Sequence, residues 1–200
     1  FRRVLFRSLI TRTDRFKAAM AGAPVSNMTS AYGGIRWSSG MVRAFQYEDG
    51  QSRIGKDLWS DREAYIVNSP LFYADQVNTP LLMMHNDEDG AVPWYQGIEY
   101  FTALRRLQKP VWMLVYNGAP HNLKRYADMQ DLTLRMEQFF DHFLMDAPEP
   151  NWMKTGVMQD KVASFNHLAD LYFKLSPKLH DCKLFLVDTS ITTEAGADIV

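Results

Sequence analysis

The stretch Pro80–Pro93 reads PLLMMHNDEDGAVP. Pro80 to His85 is a continuous apolar run between turn signals, which predicts a strand covered on both faces. Asn86 to Gly90 (NDEDG) predicts the loop after it. Pro93 suits the first turn of a following helix, where a missing N–H leaves nothing unpaired. That helix is expected to run to about Leu107, with Phe101, Leu104 and Leu107 on one face. Pro110 to Tyr116 (PVWMLVY) predicts a second strand and Asn117 to His121 (NGAPH) its loop. From about Lys124 to Leu144 a long helix is expected. Its Met129, Leu132, Met136, Phe139, Phe140 and Phe143 recur at spacings of three and four, as one apolar stripe. Ala147-Pro148-Glu149-Pro150 stops it. Strands alternating with helices in this way predict parallel α/β architecture.

Upstream, Lys17 to Ala23 (KAAMAGA) is a short run of small apolar residues ending at Pro24, and predicts a buried strand. Val25 to Gly55 is rich in Ser, Gly, Tyr and Trp and has weak periodicity. It predicts a long loop region with one short helix. Asp61 to Val67 is expected to be helical, and Ser69-Pro70 to begin an extended turn. Downstream, Gln159 to Leu175 predicts an amphipathic helix and Lys183 to Val187 a strand. Thr189 to Val200 is expected to be loose.

The chain has 200 residues, 46% apolar and 22% charged, enough for one ordinary globular domain with a core. A net charge of −1 supplies no long-range attraction for nucleic acid or an anionic membrane surface, so neither is expected as a partner. No apolar run reaches the length of roughly 18 residues that a membrane-spanning helix needs. Cys182 is alone, which excludes an intrachain disulfide and a cysteine zinc cluster. Phe1 to Ser8 (FRRVLFRS) has basic residues but no apolar core of a signal peptide. It is expected to be a non-native leader, with a basic surface segment as the alternative.

In open α/β sheets the loops beyond the carboxyl ends of the strands carry function. Two such loops here hold titratable groups: Asp87-Glu88-Asp89 and the loop of His121. Parallel strands joined by one helix put both loops at the same end of the sheet. An acid and a histidine 32 positions apart can then be neighbours, as suits a carboxylate that orients an imidazole and stabilises its protonated form. Taken alone, a DEDG stretch also reads as a solvated turn, and a single loop histidine as a surface or structural one. No Gly-x-Ser-x-Gly occurs in the chain, so the sequence supplies no nucleophile.

Read together, these segments resemble the prolyl oligopeptidase family of serine peptidases. Pro80–Pro93 followed by Gln96 and the helix QGIEYFTAL is similar to its acid-loop signature. Tyr116-Asn117-Gly118-Ala119-Pro120-His121 is similar to its histidine loop. Ser69-Pro70 with Ala74 to Pro80, Phe139 to Met153, and Thr13 to Ala23 match three further stretches in the same order. The resemblance covers roughly Leu9 to Val157, and implies the C-terminal part of an α/β-hydrolase catalytic domain, a mostly parallel sheet with helices on both faces. Residues 158–200 stay outside it. The resemblance also implies Asp89 as the catalytic acid, in preference to Asp87 or Glu88, and His121 as the general base. It implies a peptide substrate, an N-terminal domain in cis, of propeller type, and no metal or cofactor. The elbow that carries the nucleophilic serine belongs just before Leu9, where Phe1 to Ser8 does not match it. Ser8 lacks the flanking glycines that a nucleophile elbow needs. Pro120 stands where the family more often has a small residue. Gly90 and Ala91 replace polar or basic residues of some members.

Asp87, Asp89 and Gly90 are superficially like a calcium loop, but the ordered oxygen ligands are missing. His85 is expected to be a core histidine. Trp37, Trp59 and Tyr32 fall in or beside the long loop region, which borders the substrate pocket in the family. Packing is their expected role. His142 is expected to be exposed. Two rival readings share the fold: an α/β-hydrolase esterase using the same acid and histidine, and a noncatalytic binding module.

Overall fold

The computed structural model describes residues 8–156. The helix expected at 159–175, the strand expected at 183–187, the stretch 189–200 expected to be loose and residues 1–7 of the segment expected to be a leader lie outside them. Along the chain the elements are β1 (Ala19–Gly22), α1 (Met28–Tyr32), β2 (Ile35–Arg36), β3 (Met41–Val42), α2 (Ala44–Glu48), α3 (Arg62–Val67), a 3₁₀ segment (Pro70–Gln76), β4 (Leu81–Met84), α4 (Tyr95–Arg106), β5 (Val111–Leu114), α5 (Tyr126–Met145) and α6 (Asn151–Thr155).

Among the described residues β4 is the middle strand of a three-stranded parallel sheet, flanked by β1 and β5. Leu81 lies opposite both Ala19 and Val111, and Met84 opposite both Gly22 and Leu114, so the three strands run level and end together. All four β4 side chains are buried. The reason is the two-residue period of a strand. Leu81 and Met83 point to a core that includes Tyr100, Phe101 and Leu104 of α4. Leu82 and Met84 point the other way, to Phe139 of α5 and Trp152 and Met153 of α6. A continuous apolar run is what a strand with helices on both faces requires, so the sequence reading of Pro80–His85 and its architecture hold.

α4 opens with a tight turn in which the Gln96 N–H donates to the Pro93 carbonyl at 3.0 Å, so Pro93 heads the helix as expected. Leu107 departs from expectation: it is exposed. The helix ends at Arg106 with Leu107 as its C-cap, outside the helical face that packs on the core, and Gln108 at a left-handed φ of 57° turns the chain there. On α5 the apolar stripe packs from Leu132 to Phe143, but Met129 is exposed. Asp146, at φ 55°, ends this helix before Pro148 is reached. His142 is half-buried, with Nδ1 2.8 Å from the Ala147 carbonyl, rather than exposed.

The helix expected at Asp61 to Val67 forms as α3, but the segment 25–55 differs most from its reading. In place of one short helix in a long loop, it holds α1, α2 and an antiparallel β2–β3 hairpin before Gly55. Each piece is five residues or fewer, too short to show a helical or strand period. α1 exists because the Asn27 side chain caps it, accepting from the Thr29 and Ser30 N–H groups at 3.1 and 3.4 Å. Ser69 is extended, as a residue before proline must be. Pro70 then opens 3₁₀ turns instead of an extended turn, because a proline is tolerated at a helix start. A small separate core of Met28, Ala31, Tyr32, Tyr47 and Tyr65 holds this segment together. Trp37 and Trp59 are exposed, so only Tyr32 among the three aromatic residues packs as expected. Trp59 still sets its ring edge-on to Tyr32.

Candidate active site

Because β4 and β5 are parallel and end level, their following loops emerge side by side. The loop after β4 carries Asp89 and the loop after β5 carries His121. The two meet: His121 Nδ1 lies 2.7 Å from Asp89 Oδ2. The Asp89 side chain is completely buried, while the His121 side chain keeps 26% of its surface exposed. The geometry therefore has a covered acid and an accessible imidazole. Asp87 and Glu88 do not take that place.

The Asp89 carboxylate is held at both oxygens. Oδ1 accepts from the Ala91 and Val92 N–H groups, each at 2.8 Å. Oδ2 faces His121 and, at 3.4 Å, Nε2 of His85. Burial pushes the carboxyl pKa up. The hydrogen bonds from His121, His85 and the Val92 and Ala91 N–H groups outweigh it, and the pKa is held well below the usual carboxylate range. Asp89 is thus a fixed negative charge beside the imidazole. Such a charge holds the ring in one orientation and stabilises its protonated form.

Neighbouring residues set the two loops against each other. Asn86 is buried; its Nδ2 donates to the Pro120 carbonyl at 2.7 Å, and its Oδ1 accepts from the Tyr116 N–H at 3.3 Å. Asp87 Oδ1 accepts from the Gly118 N–H at 2.8 Å. Gly118 has a φ of 69°, a left-handed conformation that costs glycine little. Behind the histidine loop, Tyr116 donates its hydroxyl to Asp131 at 2.8 Å, and Arg135 pairs with the same carboxylate at 2.7 Å. Burial and the Asp131 charge push the Tyr116 phenol far up, so it stays a donor.

The segment 25–76 reaches the acid loop from the other side. Ser38 N–H donates to the Gly90 carbonyl at 2.9 Å. Arg43 is buried and donates its guanidinium to the Ala91 carbonyl and to the Tyr47 hydroxyl. Gln96, also fully buried, takes the Ser26 and Asn27 N–H groups at 3.1 and 2.9 Å and gives its amide to Ser30 at 2.7 Å. The sequence singles out Asp89, His121 and Gln96, but not Asn86 or Arg43, and it presents Asp87 only as an acid. One signal does exist: Asn and Asp in a loop tend to bond nearby backbone. For Arg43 there is no local signal.

A cavity of about 600 Å³ opens beside His121, lined by Met20, Gly22, Met84, Leu123 and Leu132 among others. It lies along β1, the outer strand of the sheet among the described residues.

The chain as a whole resembles known proteins. The chain is 32% identical over 139 residues to the uncharacterized peptidase YuxL of Bacillus subtilis, a match that covers 68% of this chain and 20% of that protein. It is 35% identical over 114 residues to the acylamino-acid-releasing enzyme of Sus scrofa, covering 55% of this chain and 15% of the enzyme. The solved acylaminoacyl peptidase of Pyrococcus horikoshii superposes with a TM-score of 0.62 at 26% identity, over 76% of this chain and 24% of that one. The chain thus spans about a fifth of the length of the relatives it matches. The structural neighbours are α/β-hydrolase peptidases, which makes the parallel sheet of the described residues a part of that fold. The model of the prolyl oligopeptidase family matches residues 5–147, and the chain belongs to that family.

Proposed function

We propose that this chain is the C-terminal part of a serine peptidase that cleaves peptide bonds through an acyl-enzyme, with His121 as general base and Asp89 as the residue that orients it. The observation that carries this reading is the 2.7 Å contact between the buried Asp89 carboxylate and the accessible imidazole of His121. The names of the relatives support a peptidase over an esterase.

The chemistry divides as follows. A serine hydroxyl, contributed by a segment preceding Leu9, attacks the scissile carbonyl. His121, through the ring nitrogen not facing Asp89, takes the hydroxyl proton and returns it to the leaving amine. Asp89 stays ionised throughout and stabilises the imidazolium. Water then hydrolyses the acyl-enzyme by the same route. Among the described residues β1 is the outer strand, and its outer edge and the cavity beside His121 offer a place for the strand and elbow that would bring this serine. An N-terminal domain of propeller type in cis would complete the protein and gate a peptide substrate. Without the serine, the chain on its own is expected to be inactive.

The test is to complete the reading frame upstream of Leu9 and treat that protein with a serine-directed phosphonate probe. Labelling at a Gly-x-Ser-x-Gly serine, abolished by His121→Ala, supports the reading. A complete frame with no such motif and no labelling would leave a noncatalytic module.

A further inference from the structure

The sequence predicts only a core-filling role for His85, and the residue is fully buried at the end of β4. Its surroundings give it a second role. Nε2 lies 3.0 Å from the Val92 carbonyl and 3.4 Å from Asp89 Oδ2. A carbonyl can only accept, so Nε2 carries the proton. Nδ1 has no hydrogen-bond partner. It is pressed against Gly97 of α4: a Cβ built there would lie 2.5 Å from Nδ1 and 2.9 Å from the His85 Cβ. A proton on Nδ1 would meet carbon instead of an acceptor, so the packing selects the Nε2–H form.

We propose that His85 is a positioning residue for the Asp89–His121 pair, sharing its Nε2–H between the Val92 carbonyl and the carboxylate oxygen that holds His121. The proposal rests on the peptidase reading above. Oδ1 of Asp89 is taken by two backbone N–H groups of its own loop. Oδ2 has His121 on its open side and His85 on its buried side. The buried donor keeps Oδ2 from turning toward the core when His121 moves during proton transfer. Val92, whose N–H binds Oδ1 and whose carbonyl binds His85, closes the ring of contacts. Gly97 is the counterpart on α4, since only a residue without a side chain leaves room for the imidazole.

The experiment uses the complete protein with its serine and compares His85→Met, which keeps volume and loses the donor, with His85→Gln, which restores an N–H near the Nε2 position. Folding is checked by circular dichroism and thermal melting. Losing a hydrogen bond to a charged group predicts a fall in kcat of about ten- to a hundred-fold for the Met variant, at unchanged KM. The Gln variant recovers most of that loss. A Met variant with the parent kcat, or a Gln variant as slow as the Met one, overturns the proposal. If neither variant folds, ¹⁵N NMR of the unsubstituted protein decides. A protonated Nε2 and bare Nδ1 at His85 support the proposal, and a proton on Nδ1 overturns it. His121→Ala in the same assay separates the two levels. If it stays active, the peptidase reading fails. If it is inactive while His85→Met is not, only the role of His85 fails.

Discussion

The acid loop and the histidine loop face each other across one hydrogen bond, yet they are built differently. The acid loop supplies its own order: Asp89 is buried and bonded to the backbone of Ala91 and Val92, and Arg43 and Ser38 hold its carbonyls from outside. The histidine loop takes much of its order from the acid loop. Asn86 holds the Pro120 carbonyl, Asp87 holds the Gly118 N–H, and Asp89 holds the His121 ring. One loop is a cradle and the other is docked in it. In the proposed mechanism the base shifts as it passes a proton, and it can be less confined than the charge that steers it.

This contrast can be broken most severely at Asp89. In the complete protein, Asp89→Asn should lower kcat by about 10⁴, the effect of the same change in a serine-peptidase triad. Turnover within tenfold of the parent would show that the carboxylate does not steer the base.

The same residue should govern acid stability. Its folded pKa is depressed below the ordinary value of 3.8, so the folded protein gains stability that is complete above that value. The gain is lost as pH falls through the depressed folded pKa. Urea midpoints measured downward from neutral pH should therefore drop in acid, and less steeply for Asp89→Asn. Equal acid slopes in the two proteins would contradict the cradle.

Packing behind the cradle comes next. Gly97→Ala forces a Cβ against the His85 ring and should cost about 1–3 kcal/mol in urea denaturation. Gly33→Ala is the control, because nothing lies within 4 Å of a Cβ there and the φ is −80°. A loss as large at Gly33 would mean that the close approach at Gly97 is not the cause.

The docking bonds should show the smallest effects, and in a set order. Asn86→Ala removes two bonds, one of them to a buried N–H, and should cost about 1–3 kcal/mol. Asp87→Ala removes one exposed bond and should cost about 0.5–1.5 kcal/mol. Thermal melts that rank Asp87 above Asn86 would reverse the picture of how the histidine loop is held.

Parts of this protein are legible in the residue pattern alone. The apolar run Pro80–His85 has to be a two-faced strand, and the period of Leu132, Met136, Phe139, Phe140 and Phe143 has to be a helix against a sheet. The placement of Asp89 and His121 at the ends of neighbouring parallel strands follows from the order of elements. The segment 25–55 is not legible in the same way, whereas the helix expected at Asp61 to Val67 forms as Arg62–Val67. The two helices and the hairpin of 25–55 are too short to carry a period, and a side-chain cap at Asn27 and a tyrosine cluster replace one.

The sequence by itself determined the strands and long helices of the parallel sheet and which end of it bears the acid and the histidine, because burial patterns repeat along neighbouring residues. Only the tertiary structure decided what holds them. Arg43 meets Ala91 across 48 positions and Asn86 meets Pro120 across 34. His85 turned from a core filler into a neighbour of Asp89 because Gly97 leaves its ring one place to lie. Such contacts depend on how separate segments pack, and no local pattern encodes a partner that the chain reaches only by folding.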